Sequence, residues 1–184
     1  MSRAEIHDIL EHMDFASSSH TTNHITEVAG GNGTLIRGIL DRNPTIQGQL
    51  YDFPDVVKRI APVDRLTSVG VNMHESLPSI SGDVIVKRIL HSYSDEAAGN
   101  ILSNIRRSMI RGNKLYVFEL IEDTQVPNPY IGIKNLQMIL VHGAPGISGG
   151  PGERTEQEFA NLLNASGFAL TKYSICHLLI CDRG

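Results

Sequence analysis

The sequence predicts an α/β protein built on a mostly parallel, seven-stranded sheet. Two observations support this fold class: β-prone apolar runs alternate with helical patterns along the chain, and the last two β-prone runs are too close for a helix to separate them. Alternating strands and helices are typical of a parallel sheet covered by helices. Two strands joined by a tight turn pair antiparallel. The chain should therefore end in an antiparallel hairpin at one edge of the sheet.

The first half of the chain is expected to contribute three helices and four strands. Apolar residues at helical spacing predict the first helix, and a proline at its first position opens the third. The predicted helices span residues 3–14, 34–43 and 54–60. The predicted strands span residues 24–28, 47–53, 66–71 and 83–90.

The second half opens with a helix capped by Ser94, with acidic residues in its first turn, and a helix capped by Thr155 follows later. Glu158 lies three residues after Thr155, which makes a capping box, and Gly167 is placed to end that helix. The predicted helices run from 94 to about 110, from 130 to 142 and from 155 to 167. The predicted strands span residues 114–121, 169–174 and 176–182, and the glycine-rich stretch 143–152 is expected to be a surface loop.

Composition indicates one soluble domain with a sizeable core. The chain has 184 residues, 41% of them hydrophobic, and a net charge of −4. This acidic balance and an aromatic content of 5% without tryptophan argue against nucleic acid or an anionic membrane as partner. No apolar stretch is long enough to span a membrane, the first residues do not resemble a signal peptide, and Cys176 and Cys181 are expected to be reduced. These features predict a cytoplasmic protein.

The stretch ITEVAGGNGT, which joins the first predicted strand to the next helix, is the strongest candidate for a ligand site. It lacks the lysine of a P-loop, and Ile36 takes the place of the third glycine of a dinucleotide fingerprint. What remains is a turn with Glu27, Gly31 and Gly33 that could approach a small cationic nucleoside. Asp52 ends the next strand about 20 residues later, where an acid can bind ribose hydroxyls. The alternative is a tight turn that holds no ligand.

Four blocks of the sequence resemble one family. They are EVAGGNGTLIRGILDRNPTIQGQLYDFPDVV, DVIVKRILHSYSDEAAGNIL, KLYVFELI and GGPGERTEQEFANLLNASGF. In this order they resemble the S-adenosylmethionine (SAM)-dependent O-methyltransferases of the plant caffeate and bacterial polyketide type, over about residues 20–184. The resemblance implies a Rossmann-like class I methyltransferase fold for residues 23–184, after a short helix and linker at 1–22.

The resemblance also implies a cofactor, an acceptor and site residues. The cofactor would be SAM, with S-adenosylhomocysteine as product, and the acceptor a hydroxyl of a small aromatic secondary metabolite. His91 matches the family's general base, and Glu119 and Glu153 match the acids that flank it. The residues assigned to the cofactor are Glu27, Gly31, Gly33, Asp52, Phe53, Asn72, Met73, Lys87 and Tyr93, the last standing where the family has a tryptophan.

Several of these assignments have alternatives in the sequence itself: His91 could be a capping or surface residue, Glu119 a solvated acid, and Glu153 a loop acid before a capped helix. From the residues alone, Lys87 and its neighbour Arg88 are expected to lie at the strand surface rather than to touch the substrate. The histidines at 74, 142 and 177 lack metal-ligand spacing with acids or cysteines, so no metal is expected.

The chain also departs from the family pattern. Glu27 and Ala29 replace an Asp-x-Gly opening of the turn, and Asn72 and Ser92 replace aspartates. Only about twenty residues precede the first strand, where the family has a dimerising helical domain. We therefore expect a homodimer or a separate subunit to complete the protein, with the apolar helix at 130–142 as a partner surface. The alternative function is a non-methylating homologue that acts as a partner subunit or as a tailoring protein for cyclisation or hydroxylation.

Overall fold

The computed structural model describes residues 3–13, 15, 23–122, 133, 153–174 and 178–183. The helices with described bounds are α1 (Arg3–His12), α2 (Thr34–Arg42), α3 (Pro54–Val57), α4 (Asp95–Ser108) and α5 (Glu156–Ala165), with a 3₁₀ turn at Leu90–Ser92. The strands are β1 (His24–Val28), β2 (Gln47–Asp52), β3 (Leu66–Gly70), β4 (Asp83–Lys87), β5 (Lys114–Phe118), β6 (Ile121–Glu122), β7 (Arg154–Thr155), β8 (Phe168–Ser174) and β9 (Leu178–Arg183).

Seven of these strands form the main sheet, in the order β3-β2-β1-β4-β5-β9-β8. The first five pair in parallel, whereas β9 pairs antiparallel with both β5 and β8. The short strands β6 and β7 form a separate parallel pair. The predicted α/β class and its antiparallel edge hairpin are confirmed. Because β1 and β4 lie side by side in the middle, the segments that follow them meet at the same edge of the sheet.

Several elements end earlier than the sequence predicted. The strand expected at 83–90 stops at Lys87. The N–H of the next residue, Arg88, still donates to the Phe118 carbonyl at 2.9 Å. The strand ends there because Arg88 adopts a left-handed conformation with φ 57°. The chain then forms the 3₁₀ turn instead of more strand. The strand expected at 114–121 ends at Phe118, and the helix expected at 54–60 ends at Val57. Apart from residue 133, the predicted helix at 130–142 lies outside the described residues, as do the loop at 143–152 and Cys176.

The core lies on both faces of the sheet, because alternate residues of the central strands point to opposite sides. Val84 and Val86 of β4 belong to the cluster that also contains the apolar residues of α4 and α5. Ile85, between them, belongs to the cluster formed with α1 and α2. Helix α1 packs on this second face through Ile6 and Ile9, both buried. Burial of this apolar surface is the main force that holds the helices to the sheet.

Two further sequence expectations concern thiols and membranes. Cys181 on β9 is a free, buried cysteine, and burial raises the pKa of its thiol to about 12, which makes it unreactive at neutral pH. Within the described ranges, no helix combines the length and the apolar character needed to cross a bilayer.

Candidate functional site

The glycine turn after β1 exposes backbone to open space. Gly31 and Gly33 have left-handed backbones with φ 62° and 71°, a conformation that glycine adopts without steric cost. A Cβ placed on Gly31 would meet no atom within 4 Å, so a ligand can approach this backbone closely. A Cβ on Gly30 would lie 2.5 Å from the carboxyl carbon of Glu27. Gly31 therefore borders the space that a ligand would fill, and Gly30 makes room for the acid beneath the turn.

Glu27 lies under this turn and caps helix α2. Its side chain is buried and accepts a hydrogen bond from the Ile36 N–H at 3.2 Å. The residue before α2, Gly33, offers no side chain for this purpose, so the carboxylate supplies the missing acceptor. Burial raises the pKa of Glu27 to about 7, although the charge of Lys87 and the Ile36 N–H oppose the rise. Glu27 is thus held inside the protein by the backbone of the turn.

Asp52, at the end of β2, fastens the glycine turn to the neighbouring strand. Its Oδ2 accepts from the Gly31 N–H at 2.8 Å and its Oδ1 accepts from the Phe53 N–H at 2.7 Å. These bonds fix the plane of the carboxylate and leave further lone pairs on both oxygens. With only 9% of its surface exposed, Asp52 presents little more than one edge to solvent.

Aromatic rings line the same edge of the sheet. Phe53 and His74 are stacked with ring centroids 6.4 Å apart, and His74 meets Tyr93 edge to face at 5.0 Å. Burial and the charge of Asp52 raise the pKa of the Tyr93 hydroxyl, which keeps the ring neutral at physiological pH. The sequence placed Phe53 and Tyr93 at the site, and the structure adds His74 between them.

Asn72 and Met73, which follow Val71 after β3, differ in burial and in their hydrogen-bond partners. The Asn72 amide donates to Glu75 at 2.9 Å and its carbonyl oxygen accepts from the His74 N–H at 3.1 Å. Met73 is buried in the core, and its backbone carbonyl accepts from Asn104 of α4 at 2.8 Å. Of the two side chains, that of Asn72 is therefore the partly exposed one, although its polar atoms already have protein partners.

His91 lies in the 3₁₀ turn and is paired with Glu119. Its Nδ1 is 2.7 Å from Glu119 Oε2, and both side chains are buried. The other oxygen of Glu119 accepts from the N–H groups of Ile89 and Leu90, both at 2.7 Å. Burial alone would raise the pKa of Glu119, but its bonds to His91, Arg88 and the Ile89 N–H lower it overall. The carboxylate is thus ionised and holds both the imidazole and the turn that carries it.

Arg88 joins Glu119 to Glu153. Its guanidinium donates to both oxygens of Glu153, at 2.7 and 2.9 Å, and to Glu119 Oε2 at 3.3 Å. The side chain is only 21% exposed, so Arg88 does not lie on the strand surface. Lys87 is half-buried, and its pKa is lowered by burial against the charges of Glu27, Glu5 and Glu119.

Arg154 was not identified from the sequence. It is 1% exposed and donates to the carbonyls of Leu90 and Tyr93 at 2.6 and 2.8 Å and to Asp95 at 2.8 Å. Its guanidinium thereby holds the carbonyl side of the turn that carries His91. The one available signal was an arginine directly after Glu153, before a capped helix, where the sequence gives no reason for burial.

The predicted site residues therefore come together at one edge of the sheet. The glycine turn, Asp52, Asn72, His91 and Glu119 lie at or after the ends of β1, β2, β3, β4 and β5 respectively. Glu153 joins them from the segment before β7. Ligand atoms of His91, Glu119 and Glu153 lie within 4.8 Å of one another. The sequence showed no metal spacing here because the three residues come from distant segments.

The family model for the O-methyltransferase domain matches residues 2–169. O-methyltransferase 11 of Lophophora williamsii is 34% identical over 157 residues, which are 84% of this chain and 39% of that protein. Norreticuline-7-O-methyltransferase of Papaver somniferum is 31% identical over 153 residues, 82% of this chain and 41% of that protein. The chain thus spans about two fifths of the length of these curated relatives.

Solved structures show the same fold. The SAH-bound structure of CalO1, a methyltransferase in calicheamicin biosynthesis, has a TM-score of 0.78 and 25% identity, and the match covers 98% of this chain and 54% of that one. The family model covers well over half of the chain, and both the curated relatives and the fold agree with it. The chain belongs to the O-methyltransferase domain family.

Proposed function

We propose that this chain carries the catalytic site of a SAM-dependent O-methyltransferase that methylates a hydroxyl of a small acceptor, with His91 as general base. The observation that supports this most is the ionised Glu119 hydrogen-bonded to His91, at the same sheet edge as the glycine turn and Asp52. This reaction requires a base, an acid that orients the base, and a stretch of backbone that a nucleoside can approach closely.

The residues around the turn suit SAM. Gly31 and Gly33 would border its methionine end, and open space lies beside the Gly31 backbone. The free lone pairs of Asp52 would bind the ribose hydroxyls, and the acids at this edge favour a cation. The ring face of Tyr93 would attract the sulfonium by a cation–π interaction. Phe53, Asn72, Met73 and Lys87 complete the set proposed for the cofactor, whose contribution is a methyl group activated by positive sulfur.

Glu27 contributes to cofactor binding indirectly in this proposal. Its carboxylate is buried and bonded to the Ile36 N–H, so it shapes the turn from beneath. The negative charge that it carries when ionised lies close to Lys87 and Asp52. It would therefore set the electrostatic potential of the site as well as the conformation of the turn.

His91 would remove the proton of the acceptor hydroxyl. In the tautomer that donates Nδ1–H to Glu119, the lone pair of Nε2 is available to take this proton. Glu119 then stabilises the imidazolium that forms, and Glu153 adds negative charge on the other side of Arg88. General-base catalysis of this kind contributes on the order of 10²–10⁴-fold, and alignment of hydroxyl and methyl contributes roughly 7–11 kcal/mol.

The acceptor is proposed to be a hydroxyl-bearing secondary metabolite. This proposal is supported by the similar proteins, which include a norreticuline-7-O-methyltransferase and a methyltransferase in calicheamicin biosynthesis. We also propose that a second copy of this chain or another subunit completes the acceptor pocket, and that the protein works in the cytoplasm. Gel filtration with light scattering would test the first of these two proposals.

Cofactor binding is tested by calorimetric titration with SAM and with S-adenosylhomocysteine. We expect micromolar binding that falls at least about tenfold in Asp52→Asn, because asparagine has one accepting oxygen where aspartate has two. Asp55→Asn, a change in an exposed acid on α3, is the matched control and should bind like the wild type. Absence of binding to the folded wild-type chain would exclude a methyltransferase that acts on its own.

The role of His91 is tested by comparing binding with turnover. His91→Gln should bind S-adenosylhomocysteine normally and lose roughly 10²-fold or more of kcat, measured as methyl transfer to a panel of phenols. His7→Gln on the exposed face of α1 is the control. Turnover of His91→Gln at the wild-type rate would show that another group removes the proton.

A second function is supported by two observations at the cofactor edge. Ala29 carries a Cβ at a left-handed position of the turn, with φ 58°, and the Asn72 amide is already bonded to Glu75. Both would weaken cofactor binding and favour a non-methylating homologue that acts as a partner subunit or as a tailoring protein for cyclisation or hydroxylation. Weak or absent binding of SAM, or binding of it without methyl transfer to the panel of phenols, would support this second function.

A further inference from the structure

We propose that Arg88 is a positioning residue that serves as the built-in cation of the His91 cluster, occupying the place between Glu119 and Glu153 that a divalent metal ion would otherwise take. The inference deepens the proposed function and rests on it only for the role of His91 as base. The contacts that support it do not depend on the reaction.

His91, Glu119 and Glu153 form a compact buried cluster. One imidazole and two carboxylates converge, with ligand atoms of His91, Glu119 and Glu153 within 4.8 Å of one another. A histidine and two carboxylates are a donor set that first-row divalent metals accept. The three side chains are buried, and both carboxylates are completely enclosed. Two carboxylates so placed repel each other unless a cation lies between them.

Arg88 supplies this cation. Its fork donates twice to Glu153, and one of the same nitrogens also reaches Glu119. This bidentate geometry is specific to arginine, whose planar guanidinium matches a carboxylate. The interactions with both acids raise the pKa of Arg88 despite its burial, so the positive charge is permanent.

The backbone at Arg88 also has an uncommon conformation. The residue has φ 57° although it carries a long side chain, and this conformation is uncommon outside glycine, asparagine and aspartate. It follows directly after β4 and starts the segment that leads to His91. Strain of this kind is retained where the surrounding structure fixes it, often at functional sites. Here the side chain is bonded to both acids and the backbone N–H to the Phe118 carbonyl.

The consequence concerns Glu119. This carboxylate holds the imidazole through one oxygen and the N–H groups of the turn through the other. Arg88 bonds to the oxygen that faces His91, and so keeps Glu119 ionised and its orientation fixed. Without Arg88, two buried carboxylates beside an imidazole would recruit either a proton or a metal ion.

The test measures metal binding and the state of His91, neither of which needs a methyl acceptor. Arg88→Met removes the charge and keeps much of the volume. We expect this variant to bind Mn²⁺ roughly tenfold or more tightly than the wild type, with the gain lost in Arg88→Met/Glu153→Gln. We also expect the downfield proton NMR signal of His91 Nδ1–H to shift or broaden. Arg111→Met, which removes an exposed arginine, is the control and should match the wild type in both measurements.

If Arg88→Met folds poorly, Arg88→Lys provides a second test of the proposal. Lysine retains the charge without the fork, so Mn²⁺ binding should stay at the wild-type level while kcat falls and KM for SAM is unchanged. Equal Mn²⁺ affinity of Arg88→Met and wild type, with an unchanged Nδ1–H signal, would overturn the proposal. That result would leave the methyltransferase proposal intact, whereas wild-type turnover by His91→Gln would overturn only the role of His91 as the base.

Discussion

At the scale of single residues, Glu27 both supports the glycine turn and lowers the stability of the folded chain when it is ionised. The carboxylate caps the N–H of Ile36 and fills the space left by Gly30, but it does so inside the protein. Burial raises its pKa from 4.5 to about 7. Below pH 4.5 the group is protonated in the folded and unfolded chains alike and has no effect on stability. Between these pKa values only the unfolded chain ionises, so stability is lost as the pH rises.

The prediction that follows concerns Glu27→Gln. Above pH 7 the ionised, buried carboxylate costs about 3 kcal/mol relative to a neutral group, because its pKa lies roughly 2.5 above the ordinary value. The glutamine side chain can still accept from the Ile36 N–H, so the variant should melt roughly 6–12 °C higher than the wild type at about pH 8. The difference should shrink as the pH falls and vanish near pH 4.5, as measured by circular dichroism melts across the pH range.

The control for this prediction is Glu122→Gln, a change in an exposed acid on β6. It should leave the melting temperature nearly unchanged at every pH. A Glu27→Gln variant that melts below the wild type under alkaline conditions would contradict the argument. It would mean that attraction between Glu27 and Lys87 outweighs the burial of the charge.

At the scale of elements, the 3₁₀ turn Leu90–Ser92 is the part of the fold that places the base. A single 3₁₀ turn has few hydrogen bonds of its own. Glu119 satisfies the N–H groups of Ile89 and Leu90 on one side, and Arg154 satisfies the carbonyls of Leu90 and Tyr93 on the other. The turn is therefore held by two buried side chains from outside it. Its position depends on β5 and on the segment before α5.

We therefore expect Arg154→Lys to affect both stability and catalysis. Lysine cannot make the forked contacts to two carbonyls and Asp95 at once, and the change leaves buried acceptors unsatisfied, which costs about 1–3 kcal/mol. Urea unfolding should show this loss. The kcat should fall more than the affinity for S-adenosylhomocysteine, because the segment that Arg154 holds carries His91 and Tyr93, and S-adenosylhomocysteine lacks the sulfonium that the Tyr93 ring is proposed to attract.

Asp95→Asn is the control, because it changes only the acidic partner of Arg154 and leaves the carbonyl contacts in place. Asp95 is 79% exposed in its pairing with Arg154, so the loss of its charge should cost no more than about 1 kcal/mol. If Arg154→Lys proved as mild as Asp95→Asn, the carbonyl contacts of Arg154 would not be what fixes the turn.

At the scale of the whole molecule, the sequence predicted most of the fold because its signals were local. The alternation of strand and helix, the capping box at Thr155 and the glycine at 167 each identified an element from neighbouring residues. The positions of His91 and Glu119 followed from the rule that parallel strands end at one edge. The break at Arg88 could not be predicted, because the partners of its side chain, Glu119 and Glu153, lie 31 and 65 residues away in the sequence. Arg154 was missed for the same reason.

The sheet order leads to a prediction for the whole domain. Strand β4 lies between β1 and β5 and its first four residues are buried, whereas β3 lies at the edge of the sheet and is only partly buried. Hydrogen exchange should therefore be slowest in β4 and fastest in β3 among the parallel strands. Binding of S-adenosylhomocysteine at the proposed site should slow exchange at residues 29–34 and at Asp52 and Phe53. The opposite edge, where Asn113 and Lys114 bond to Gly82 and Asp83, should not change. Equal protection at both edges would indicate that the ligand stabilises the fold as a whole, whereas protection confined to the carboxyl edge would locate its site on the glycine turn and Asp52.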